Sequence, residues 1–205
     1  MALATYADLI AGIRDWLARP GDTASLPDAR LADLVVAAET AICDRYRGRE
    51  MVGSATISTT AQTVPLPADF LEARRLYLDA SPLAWLEYRA PPQFWREFAA
   101  NVAGRPRCFT IEGTSIVFGP VPDAVYTGRL SYFERFDPLA TALNPLYLAR
   151  PTLYLYGALA HAAPLIGADE RLPLWQGLFE KALAEAQMAS DRALYGGSPL
   201  AMRPG

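Results

Sequence analysis

Pro151-Thr-Leu-Tyr-Leu-Tyr-Gly-Ala-Leu-Ala-His-Ala-Ala-Pro164 opens a segment that continues, after a short turn, as a periodic run ending at Gly196-Gly197. Asp169 is the predicted N-cap of that run and Gly196 its stop. Pro151 suits the first position of the preceding helix, where small residues around Gly157 permit close packing. The apolar residues of the run recur every three or four positions, as in one helical stripe: Leu172, Trp175, Phe179, Ala182, Leu183, Ala186, Ala193 and Leu194. The segment predicts a helical hairpin with a tight seam.

Composition indicates a globular protein with a real core. The chain has 205 residues, of which 52% are hydrophobic. Its two cysteines, Cys43 and Cys108, give neither a disulfide framework nor a metal-ligand spacing. No apolar run approaches the roughly 20 residues of a membrane span, and the N-terminus lacks a signal-peptide pattern, so we expect neither export nor embedding.

The N-terminal region predicts two further helices. Thr5 and Asp8 resemble a capping box that opens the first helix. A second helix should begin near residues 25–28 and end near Gly48. With the C-terminal hairpin, these helices predict an antiparallel helical bundle made of residues 1–51 and 137–196.

Between the helices, the apolar pattern changes to that of strands. Residues 55–60 and 63–66 predict a two-stranded hairpin, and Glu112-Gly113 lies between two apolar runs as a hairpin turn would. Pro91-Pro92 predicts the start of one short helix. The fold prediction is therefore α+β, a helical bundle with an inserted, mostly antiparallel β-rich subdomain at 52–136. Residues 197–205 should form a flexible C-terminal tail.

Catalytic and metal-binding motifs are missing from the sequence. It has no phosphate-binding glycine loop, nucleophile elbow or zinc-protease motif. The single histidine, His161, is interpreted as a packed or rim residue, and Cys43 as a small hydrophobe. Asp169 and Glu170 fit a helix start better than a carboxylate pair. We therefore predict no enzyme, no catalytic residues, no cofactor and no metal, although a small hydrolase or transferase with an unrecognised site stays the least favoured alternative.

Two groups of arginines raise the alternative of a nucleic-acid-binding protein. The first group is Arg45, Arg47 and Arg49, and the second is Arg105 with Arg107. Nearby aromatic residues would suit a nucleic-acid surface, but they are interpreted as core and interface anchors. They are Trp85, Tyr88, Phe94, Trp95 and Phe98. The net charge of -3 and the cation preference of helix C-termini favour a structural interpretation instead.

Several segments together resemble the adaptor proteins of tailed phages and prophages, over nearly the whole chain. They are Leu66-Pro-Ala-Asp-Phe-Leu-Glu-Ala-Arg-Arg-Leu-Tyr-Leu, Gly104-Arg-Pro-Arg-Cys-Phe-Thr-Ile-Glu-Gly, Pro120-Val-Pro-Asp, Leu130-Ser-Tyr, Leu153-Tyr-Leu-Tyr-Gly-Ala-Leu, Ala163-Pro and Asp169-Glu-Arg. That family is similar to the podovirus tail tubular protein A, or gatekeeper. The resemblance carries no active-site residues to this chain. The alternative to an adaptor is a DNA-binding accessory protein of phage packaging.

The resemblance implies a virion protein of the head–tail junction, present in the host cytoplasm before assembly. Its implied partners are the portal protein, tail or nozzle proteins, and further copies of itself in a twelvefold ring. Genome DNA would pass through the ring without tight binding, and no membrane is involved. Leu200, Met202 and Arg203 offer two apolar anchors and a cation in the tail, and they are the predicted portal contacts.

Overall fold

The computed structural model describes residues 3–17, 26–79, 83–100, 102–166 and 169–195. The fold is mixed α+β, as predicted, with a curled and mostly antiparallel sheet. The chain divides into two compact units. The helical unit is Met1–Glu50 with Phe136–Gly205, and the strand unit is Met51–Arg135.

Among the described residues, helices dominate the first unit, and one helix lies in the second. They are α1 (Tyr6–Trp16), α2 (Asp28–Arg45), α3 (Pro91–Glu97), α4 (Pro145–Ala149), α5 (Pro151–Ala160), α6 (Ala163–Ile166) and α7 (Leu172–Tyr195), with a 3-10 turn at Arg49–Met51. The strands are β1 (Val52–Ser58), β2 (Thr63–Pro65), β3 (Phe70–Leu78), β4 (Ala84–Tyr88), β5 (Ala103–Gly104), β6 (Cys108–Glu112), β7 (Ser115–Gly119), β8 (Val121–Pro122) and β9 (Thr127–Glu134).

The capping box at the start of α1 is confirmed. The backbone N–H of Asp8 donates to Thr5 Oγ1 at 3.1 Å, and the Thr5 N–H donates to Asp8 Oδ2 at 2.9 Å. These two bonds satisfy N–H groups that a helix N-terminus otherwise leaves unpaired. The buried face of α1, with Leu9 and Ile13, then packs within the helical unit.

The predicted N-cap of the last helix is wrong. α7 begins at Leu172, three residues after Asp169. Asp169 Oδ1 accepts from the Arg171 N–H at 2.8 Å, and the guanidinium of Arg171 also donates to this carboxylate. The Asp169 side chain therefore bonds to Arg171 and does not cap α7. This pairing holds the pKa of Asp169 at about 2, below its usual value.

The apolar stripe of α7 is confirmed in its middle and wrong at its end. Trp175, Phe179, Leu183 and Ala186 are buried, and they continue the spacing expected of one helical face. The next position in the stripe is the buried Ser190, whose Oγ accepts from the Arg49 N–H at 2.7 Å. The predicted stripe residues Ala193 and Leu194 are exposed, since within the described chain no element covers the last turn.

The tight seam of α5 is confirmed at Gly157. A Cβ atom on Gly157 would lie 2.9 Å from the Cβ of Ala38 on α2 and 3.1 Å from the ring of Phe179 on α7. Carbon atoms in ordinary contact are about 3.5–4.0 Å apart, so no side chain fits there. Gly157 thus lets α5 pack against both neighbouring helices at once.

Asn144 organises the chain that leads into α5. Its side-chain Oδ1 accepts from the Tyr147 N–H at 2.8 Å and from the Tyr154 hydroxyl at 3.1 Å. The Tyr147 hydroxyl donates to the carbonyl of Thr5 at 3.0 Å, which ties this region to the start of α1. Asn144 at the N-cap and Pro145 at the first position form a recognised start for α4.

In the strand unit, the described strands form a sheet in the order β1-β9-β3-β4-β6-β7-β2, and β5 pairs with β8 separately. β1 and β2 do not pair with each other, so the predicted hairpin of residues 55–60 and 63–66 is wrong. A flat sheet of this order would hold its outer strands about 29 Å apart. The link from Ser58 to Thr63 spans at most about 18 Å. The sheet must therefore curl until its two ends approach.

The predicted hairpin at Glu112-Gly113 is confirmed. β6 and β7 pair antiparallel from Cys108 with Gly119 to Glu112 with Ser115, and Gly113 has a φ of 56°. Glycine takes this left-handed conformation without steric cost. The predicted helix after Pro91 is also confirmed, because α3 begins there and buries Phe94 and Phe98.

Replacing Gly157 with Ala should lower the free energy of unfolding of the helical unit. The new methyl group would overpack against the Cβ of Ala38, which is fixed to a helix backbone, at a cost of about 1–3 kcal/mol. This cost exceeds the roughly 1 kcal/mol by which Ala surpasses Gly in helix propensity. Urea unfolding followed by circular dichroism measures the change.

Gly177 provides the matched control, because it lies in α7 and a Cβ there would meet no atom within 4 Å. Gly177→Ala should therefore raise the free energy of unfolding by about 1 kcal/mol. Equal effects of the two substitutions would contradict the close packing at Gly157.

Candidate interaction surfaces

The predicted portal contacts Leu200, Met202 and Arg203 lie outside the described residues. They stay predictions, and the surfaces below are those of the described chain.

The structure assembles no catalytic constellation from the residues that the sequence singled out. His161 is exposed at the C-cap of α5, where its backbone N–H donates to the α5 carbonyls. Cys43 and Cys108 are buried thiols. Over residues 3–17, 26–79, 83–100, 102–166 and 169–195, no three potential metal ligands cluster. Among those residues there is also no helix with the length and hydropathy of a membrane span.

The first arginine group is engaged by neighbours within the helical unit. The guanidinium of Arg45 forms a two-pronged ion pair with Glu180, 2.6 Å from Oε1, and lies 5.8 Å from the Phe179 ring centroid. This pair lowers the pKa of the Glu180 carboxyl. Arg47 donates to the carbonyls of Cys43 and Tyr46, the last acceptors of α2. These contacts account for both cations without a phosphate ligand.

Arg49 has a local partner as well. Its Nε lies 3.3 Å from the Glu50 carboxylate, which also accepts from the Tyr46 hydroxyl at 2.6 Å. The Tyr46 and Arg49 contacts oppose the effect of burial on Glu50, and the pKa of this carboxyl is lowered. The carboxylate of Glu50 therefore supplies a negative charge beside Arg49, just after α2.

One member of the second arginine group also has a local partner. Arg107 donates to Glu97 at 3.1 Å and stacks 5.5 Å from the ring centroid of Phe98. The guanidinium of Arg107 therefore has a carboxylate partner within the strand unit.

An aromatic pair, the half-buried Tyr77 and the exposed Trp85, lies on the outer face of the sheet. Tyr77 pairs in register with Trp85 on β4 and with Arg129 on β9, while the flanking Leu76 and Leu78 point into the core. The two rings are 5.1 Å apart, and Trp85 is 57% exposed. Large aromatic side chains at such exposure are typical contact residues of protein interfaces.

The sequence indicated Trp85 and Tyr88 as core or interface anchors, and both are exposed. Phe94 and Phe98, from the same set, are core residues that pack with Cys108 and Val117. The period-two pattern of β4 separates the faces, because Leu86 is buried between two exposed neighbours. The β4 sequence alone did not show which of the two faces of the strand would be buried.

Comparison with known proteins places this chain in a family. No curated protein matches it. The model of the family described as SU10 adaptor protein matches residues 4–203, almost the full length. A match of this extent agrees with the α+β fold and with the segments that resemble phage adaptors. The chain therefore belongs to the SU10 adaptor protein family, a family of phage structural adaptors that are virion components.

Proposed function

We propose that this protein forms a ring beneath the portal of a tailed phage or prophage and joins the DNA-filled head to the tail. The observation that carries the proposal is the family match over residues 4–203. The protein would occupy the head–tail junction of the virion and the host cytoplasm before assembly. It acts by binding other proteins and not by catalysis.

The proposed partners are the portal on one side and tail or nozzle proteins on the other, in the manner of the podovirus gatekeeper. A closed ring of identical subunits needs two different, complementary patches on each copy. The aromatic pair of Tyr77 and the exposed Trp85 is one candidate patch. The tail residues Leu200 and Met202 are the proposed contacts with the portal, with Arg203 beside them.

We also propose that genome DNA crosses the ring without tight binding. DNA affinity depends on free cations that release counterions from phosphates. Arg45, Arg47 and Arg107 already have partners within the protein, and the net charge is -3. Such a surface lets DNA slide, as an exit channel requires.

Ring formation should depend on the portal. At micromolar concentration, the purified protein should have the mass of a monomer or small oligomer in multi-angle light scattering. Addition of purified portal should give a complex with one copy of this chain per portal subunit, because many weak contacts act together around the ring. A closed ring formed by the isolated protein would contradict this order of assembly.

Deletion of residues 197–205 tests the proposed portal contact. The truncated protein should keep its melting temperature within about 2 °C, because the deletion removes no residue of the described core. It should lose attachment to portal-bearing heads in a sedimentation assay. The double substitution Leu200→Ala and Met202→Ala should reproduce this loss, whereas the control Ser198→Ala should attach normally. Normal attachment of the truncated protein would exclude the tail as the contact.

A further inference from the structure

The sheet of the strand unit opens into a fork. β3 pairs with β4 only from Leu76 with Leu86 to Leu78 with Ala84. Beyond Leu86, β4 turns to β6 and pairs with it in parallel. Residues 70–75 of β3 are left with β9 as their single partner strand in the described chain. We call the gap between residues 70–75 and the β4–β6 pair the fork.

Two irregularities in β3 produce the fork. The register with β9 shifts between Phe70 and Glu72 and again between Ala73 and Arg75. Each β-bulge adds an unpaired residue and bends its strand. The second bulge immediately precedes Leu76, the first residue of β3 that pairs with β4, so β3 bends away at the point where that pairing begins. The opening therefore results from the bend of the β3 backbone.

The fork exposes backbone groups on the β4 side too. The N–H of Glu87 donates to Arg107, and the N–H of Arg89 donates to Phe109, both across to β6. Because backbone groups alternate along a strand, the N–H and carbonyl of Tyr88 point to the opposite side, toward β3. Within the described residues no backbone bond engages them. An added strand would find donors and acceptors there.

The floor of the fork is apolar. A cavity of about 540 Å³ lies between the strands. Its lining includes the buried side chains of Leu76, Leu86 and Phe109, and the half-buried Phe70 and Ile111. Alternate side chains of an extended segment would point into this floor, and the others would face solvent.

The rim of the fork carries two arginines and one glutamate, so positive charge is in excess. Arg74, Arg75 and Glu72 are exposed there and line the cavity. The guanidinium of Arg74 lies 5.2 Å from the Phe133 ring centroid. The nearby Glu87 is paired with Arg89 at 2.9 Å. The rim therefore complements acidic side chains on an incoming segment.

We propose that the fork binds an extended segment of a partner protein, about five residues long, which adds to β3 as a strand with apolar residues inward and acidic residues at the rim. Bulges and charged residues also serve to block strand edges from association. A blocked edge, however, has no need of an apolar cavity beside it. This proposal concerns the strand unit alone and holds whether or not the chain forms a ring.

A synthetic peptide of alternating valine and glutamate, seven residues long and capped at both ends, tests the proposal on the full-length protein. Titration followed by ¹⁵N NMR should shift the amides of residues 70–75 and Tyr88. Hydrogen exchange of these amides should slow by about tenfold or more in the complex. A peptide with lysine in place of glutamate should bind at least about tenfold more weakly, and a peptide N-methylated at alternate amides should not bind.

Charge reversal at the rim provides the protein variant. Arg75→Glu should weaken binding of the valine–glutamate peptide by about tenfold, which corresponds to about 1.4 kcal/mol. Arg96→Glu makes the same charge change on exposed α3, away from the fork lining, and should leave binding unchanged.

Equal binding of the glutamate and lysine peptides, or equal effects of the two substitutions, would overturn the proposal. Lack of protection at Tyr88 on peptide binding would do so as well. Concentration-dependent protection of the fork without peptide would assign it to a second copy of this chain and would also overturn the partner proposed here.

Discussion

The helical unit depends on the close approach of α5 to two other helices at Gly157. The absence of a side chain there lets α5 contact Ala38 of α2 and Phe179 of α7 together. This packing brings the ends of α2 and α7 within hydrogen-bonding distance. The Arg47 N–H donates to Gln187 at 3.1 Å, and the Arg49 N–H donates to Ser190. One glycine thus sets the geometry in which the first arginine group finds its internal partners.

The strand unit depends on a different constraint, the short link between strands at opposite ends of its sheet. The curl that follows from this link creates an inner apolar face, with Leu76, Phe118 and Leu130 fully buried, and an outer face that carries Trp85. The bulges in β3 interrupt the same sheet and open the fork. The aromatic pair and the fork are therefore consequences of how the backbone closes.

Local patterns in the sequence predicted much of the fold, because they depend on residues close to one another. The stripe through Trp175 and Phe179, the capping box at Thr5 and the turn at Gly113 are of this kind. Such patterns do not predict which strands pair with each other. Residues 55–58 and 63–65 do lie in strands, but their partners lie about 50–75 residues away, which periodicity does not encode. The bulges that open the fork have no sequence signature, and the free groups of Tyr88 depend on the pairing around them.

The role of the protein rests on the family match. The structure adds arginines that bond to partners within the protein and an aromatic pair on the outer face of the sheet. The most direct test is a cryo-electron microscopy reconstruction of the head–tail junction in assembled particles, at a resolution that allows this chain to be built. The account predicts a closed ring of this chain between the portal and the tail, with a lumen that is not lined mainly by arginine. A junction in which the portal contacts the tail directly, with this chain absent or located elsewhere in the virion, would contradict it.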